Sequence, residues 1–290
     1  MNIKKLAKIQ SGQDGVIWKN QLFRFKSKGQ CFVYDLQDVD PNCVKELEPI
    51  GTFVLDQADR IAPHSNAVCF GVEYYDTNDE YPLLYSNIYN NFKNFEDKMI
   101  GVCCVYRLQR EENTFKTTLV QLIEIGFVND ATLWKVQPDA DGVRPYGNFL
   151  IDSKNKYYYG FVMRDENLGT RYFKFKIPTL TDGEIDTVYG VKRVKLTQED
   201  IIDQFDCLFH RFIQGGIIHD DYLYSTEGFS DSPINPPAIR IIDLVSKKQK
   251  AYINIIEKGY NIEPEMIDFY GEDCYYSDVD GNLYCIEFDL

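Results

Sequence analysis

A chain of 290 residues with 44% hydrophobic content can bury a substantial core, and its 21 Tyr and 19 Phe favour strands over helices. The formal net charge of −14 argues against a nucleic-acid backbone or an anionic membrane as partner, since both call for clustered Lys and Arg. No run approaches the roughly 18 apolar residues of a membrane span, and residues 1–9 contain no apolar stretch of secretory length. These features predict a soluble, cytoplasmic, monomeric protein whose eight cysteines stay reduced.

In chain order, a strand-like run at 2–9 comes first and has no evident neighbour. Residues 13–23 then read as a polar residue, a glycine, a short apolar strand, a polar turn and an aromatic strand. The same pattern returns without a gap at 214–224, again at 265–276, with a longer turn at 148–158, and more loosely at 66–85 around an extended polar loop. A third strand-like run follows each copy, at 31–36, 102–108, 172–177, 239–244 and 283–288, and a fourth follows three of them, at 51–55, 118–125 and 251–256. Four short strands per unit, repeated, are the pattern of propeller blades. The repeats predict an all-β chain forming one five-bladed β-propeller domain over 1–290, with blade cores beginning near 13, 66, 148, 214 and 265. A pair of β-sandwiches would leave the repeats as coincidence.

The fifth unit reaches Leu290 directly after its third strand, so the run at 2–9 is expected to complete that blade and close the ring. One stretch resists assignment. Residues 197–205 read as a short helix with Thr197 at its N-cap and acidic residues in the first turn, which leaves the outer strand of the blade spanning about 146–205 unplaced.

The aligned first position of every copy is polar: Gln13, Asn66, Asn148, Gln214 and Glu265. In a propeller these positions converge around the axis, and Asp14, His64, Arg144, Tyr146, Glu227 and Glu263 lie close to them in sequence. Amides both donate and accept, so such a ring suits a polar, uncharged small ligand of carbohydrate type. The competing explanation is that these groups hydrogen-bond one another and close the channel mouth. Glycoside hydrolysis is the alternative function: it needs two carboxyls flanking a bond, and Asp14 and Glu265, from blades made adjacent by ring closure, are the best catalytic pair. A third possibility is an interaction scaffold that uses the blade edges and the insertion at 86–98.

No metal site and no cofactor are expected. Residues 278–282 have a D-x-D-G-N spacing but lack the remainder of a calcium loop, and Asp-Gly between two aromatic strands is a hairpin turn. Three histidines with no Cys/His cluster do not make a zinc site. Nucleotide-binding and nucleophile-elbow motifs are absent. The tyrosine runs at 157–159 and 275–276 are expected to pack between blades.

The segments at 63–66, 70–75, 81–85, 146–148, 214–216 and 263–265 together resemble a group of uncharacterised bacterial propeller proteins across most of the chain. That resemblance implies the fold and brings no activity with it. At the level of fold, five-bladed propellers include lectins of the tachylectin type and glycosidases of the arabinanase and levansucrase type. The glycosidases carry an Asp early in blade one, which Asp14 matches. They also carry a second Asp and a Glu acid in later blades; Asn66 and Asn148 stand at the equivalent positions of blades two and three, so that catalytic trio is not reproduced.

Overall fold

The computed structural model describes residues 1–61, 63–88, 99, 101–112, 114–127, 149–163, 169–207 and 213–289. Strands largely buried on both faces and joined by tight turns build the inner hairpins of the blades. In blade one Gly15–Trp18 pairs antiparallel with Gln21–Phe25, in blade four Ile213–His219 with Tyr222–Glu227, and in blade five Pro264–Tyr270 with Asp273–Asp278. Each turn has two residues, and the first of them is left-handed: Lys19, Asp220 and Gly271. Phe149–Asp152 and Tyr157–Met163 of blade three are joined by the longer turn that the sequence indicates. In blade two Val68–Phe70 pairs with Leu84–Asn87.

The five sheets form a ring, a five-bladed β-propeller. Their innermost strands touch in the circular order one, two, three, four, five and back to one. Asn2–Lys8 pairs antiparallel with Asn282–Glu287, so the N-terminal strand supplies the fourth strand of blade five, as expected. Lys45–Glu46 adds alongside it in parallel. Leu6 and Ala7 of the closing strand are buried with Met266, Tyr275 and Leu283, so apolar burial as well as the ladder secures the closure.

The chain between blades three and four departs from simple repetition. After the third strand of blade three, Thr170–Lys176, it crosses to blade two, where Lys192–Leu196 pairs in parallel with Thr114–Ile125 and Glu184–Ile185 adds outside it. The helix expected over 197–205 is a single turn, Gln198–Asp200, closed by a capping box between Thr197 and Asp200. Asp203–Cys207 then forms the outer strand of blade three. Glu199 and Asp200, the acidic residues that suggested a helix, lie in that single turn, whereas Asp203 and Asp206 of the edge strand pair with Lys247 and Arg171.

Aromatic side chains pack both within blades and across their joints. Within blades Tyr158 stacks on Phe149 at 5.6 Å and Tyr276 meets Tyr284 at 5.4 Å, while across joints Phe23 of blade one meets Phe70 and Tyr81 of blade two, and Tyr85 of blade two meets Phe149 of blade three at 6.2 Å. All eight cysteines are free, five of them buried. Among the described residues no helix is long and apolar enough to cross a membrane.

Candidate functional site at the channel mouth

The repeated polar position is shaped by a backbone irregularity. In blade four the pairing register shifts between Ile213 and Gly215, and in blade five between Pro264 and Met266, so Gln214 and Glu265 are the extra residues of β-bulges. In blade one the Phe25 carbonyl accepts from the Gln13 N–H while the Phe25 N–H donates to the Asp14 carbonyl, so Phe25 likewise faces two residues. A bulge re-aims the side chain it carries, and here it does so at the leading end of the innermost strands.

Beneath this level lies a sealed, charged floor. Asp14 is 1% exposed and Glu265 2%. The Val68 N–H of blade two donates to Asp14 Oδ2 at 2.9 Å, while Asp14 Oδ1 has no hydrogen-bond partner. A Cβ on Gly215 of blade four would stand 2.9 Å from that Oδ1, so the absence of a side chain there makes room for the carboxyl at the axis. Glu265 Oε2 is likewise without a partner. Burial pushes both acids well above the ordinary carboxylate range, against the pull of the Arg24 guanidinium.

Arg24, fully buried, is the cation of this floor. Its guanidinium donates to the Gln13 carbonyl, to the Gly12 carbonyl at 2.9 Å and to the Asp278 carbonyl at 2.8 Å. Sequence reading passed it over, although a single cation inside the apolar strand Gln21–Phe25 was the available signal. Asp268 was also missed. It accepts from the Ile17 N–H of blade one at 2.6 Å and from the Phe269 N–H at 2.7 Å, and burial raises it to about 7. Asp14 and Asp268 thus play matching parts: each reaches from its own innermost strand to a backbone N–H of the next blade that no ladder satisfies.

Above the floor, Gln13, His64, Asn66, Gln214 and Glu263 are half-buried. Gln214 Nε2 donates to Glu263 and to the Gly228 carbonyl at 3.1 Å, and Asn87 Nδ2 donates to Asn66 Oδ1. Burial raises Glu263, and the bond from Gln214 opposes the rise. Arg144, Tyr146 and Asn148 fall outside the described residues. Glu227 is turned toward its own blade, where Arg240 grips it bidentately at 2.5 and 3.0 Å. Asp278 shapes a turn: it accepts from the Asn282 N–H at 2.9 Å, Asn282 Nδ2 at 2.6 Å and the Tyr284 hydroxyl at 3.2 Å. Among the described residues no group of three His, Cys, Asp or Glu side chains is placed to hold a metal ion.

Fold and mouth together define a five-bladed propeller whose channel has a half-exposed polar rim over a buried acid–arginine floor. No protein-family profile matches the sequence, and no curated protein matches it. Solved propellers are similar in structure. A glutaminyl cyclase from Myxococcus xanthus has a TM-score of 0.49 and 9% identity, with 99% of this chain and 94% of that chain covered. The Pan2 WD40 domain of Neurospora crassa has a TM-score of 0.44 and 10% identity, with 98% and 96% covered. Likenesses this distant carry no inference about what this chain does.

Proposed function

We propose that the protein is a binding module that holds a polar, uncharged ligand of carbohydrate type at the channel mouth. The observation that carries this reading is the contrast between rim and floor. Gln13, Asn66, Gln214 and Glu263 remain half-exposed at the leading ends of the innermost strands, while Asp14 and Glu265 beneath them are closed off. Side-chain amides that donate and accept suit hydroxyl groups, and a rim built across blades one, two, four and five addresses a ligand from several directions.

Hydrolysis is the second reading, with one observation in its favour: Asp14 and Glu265 are both held toward the protonated form, as a general acid must be. A glycosidase also needs its two carboxyls open to the scissile bond. Exposure of 1% and 2% supports binding without turnover.

The test is native mass spectrometry after incubation with a panel of defined oligosaccharides. Retained complexes that are uncleaved, and that weaken several-fold to about tenfold in Gln214→Ala through loss of one or two hydrogen bonds, support the binding module. Cleavage abolished by Glu265→Gln supports the hydrolase. Absence of both retention and cleavage refutes both readings.

A further inference from the structure

Beside the axis, under the leading ends of the innermost strands of blades two, three and four, lies a small cavity with Asn66 on its wall. Phe149, Leu150, Phe161, Tyr172 and Ile213 make half of its lining, joined by Ala67 and Ser225. Gly216 of blade four helps to shape it: a Cβ there would stand 3.2 Å from Leu150 Cδ2 and 2.8 Å from the Tyr224 carbonyl oxygen. The space admits about one water-sized group. Its polar walls are few. Ser225 Oγ is buried with Glu227 alongside it, and Asn66 Oδ1 already accepts from Asn87. A buried water typically makes about three hydrogen bonds, which these walls supply poorly, whereas an apolar group would lose nothing there and would gain contact with the ring and aliphatic carbons.

Resting on the binding-module reading, we infer that this cavity is a subsite for a methyl-sized apolar substituent of the ligand held at the mouth. The ligand class narrows accordingly, to a hydroxyl-bearing molecule with one methyl group beside its hydrogen-bonding face. Asn66, half-buried at the rim and also part of the cavity wall, is where the polar and apolar parts of the ligand divide. Ser225 faces the buried end of the substituent.

Calorimetric titration with matched pairs tests this: free monosaccharides against their methyl glycosides and their 6-deoxy counterparts. In at least one pair the methyl-bearing member binds about fourfold tighter, the effect of burying one methyl group. Ala67→Val, which fills the cavity, removes that preference while the methyl-free member binds as before; Ser225→Val serves the same purpose if the first variant does not fold. Equal affinity across every pair overturns the subsite and leaves the mouth site standing. A preference that persists in the filled variants overturns it too, because the methyl group then sits elsewhere. No binding of any member overturns both the subsite and the mouth site.

Discussion

Asp268→Asn should change the sign of its effect on stability between acid and mildly alkaline pH. The side chain is 6% exposed and accepts from two backbone N–H groups, Ile17 of blade one and Phe269 of its own strand. Burial raises it from 3.8 to about 7. Below about pH 4 the group is protonated in folded and unfolded chains alike, and its contribution to stability is fully present. As pH rises the unfolded chain ionises first and the folded chain only near 7, so stability is lost across that window, by up to about 4 kcal/mol. Asparagine keeps one acceptor oxygen, loses the other and carries no charge. At pH 4 the variant should be less stable by about 1–2 kcal/mol, the effect of one unmade buried hydrogen bond. At pH 8 the same loss is outweighed by relief of the buried charge, and the variant should be the more stable by roughly 2 kcal/mol. Urea denaturation of both proteins at pH 4, 6 and 8 measures the difference. Because the difference is taken at each pH, other titrating groups largely cancel; Asp14, which feels the Asp268 charge, is the exception. A constant difference at all three pH values would refute the reasoning.

Arg24→Met should destabilise by about 3–5 kcal/mol, since it leaves three carbonyls unpaired and two acids without their cation. That loss should grow with pH, because Arg24 favours the ionised forms of Asp14 and Glu265; a pH-independent loss in thermal unfolding would count against its electrostatic role. Glu227→Gln should cost about 3–5 kcal/mol by leaving Arg240 buried and unbalanced, and the double variant Glu227→Met, Arg240→Leu should recover most of it in urea titrations. Leu6→Ala should lower stability by about 2–5 kcal/mol if the N-terminal strand closes the ring; a change within about 0.5 kcal/mol would mean that this strand is peripheral.

What the sequence disclosed was whatever depends on local pattern repeated. The copies at 13, 214 and 265 share a two-residue turn, and the turn fixes strand register, so the inner hairpins were readable by comparison. Closure by the N-terminal strand was readable because a strand without a partner and a blade without a fourth strand answer each other. The excursion to Lys192–Leu196 was not readable. Its parallel pairing with Thr114–Ile125 joins segments about seventy residues apart, and nothing local in either marks the other. Asp203–Cys207 was hidden because edge strands carry charges, and acidic residues after Thr197 resemble the first turn of a helix. At the mouth, alignment found Gln13, Gln214 and Glu265, whose common feature is the bulge. It did not find Arg24 or Asp268, whose roles rest on neighbours in other blades: Asp278 of blade five for Arg24, Ile17 of blade one for Asp268.

Amide hydrogen exchange, with and without a glycan retained by the protein, tests the channel-mouth site most directly. Protection is predicted at 12–15, 64–67, 213–216 and 263–265, the four described stretches that meet at the rim, with little change along the outer strands. Protection confined to the outer strand Lys248–Asn254 or to other blade edges, with the rim unchanged, would contradict a ligand site at the channel mouth.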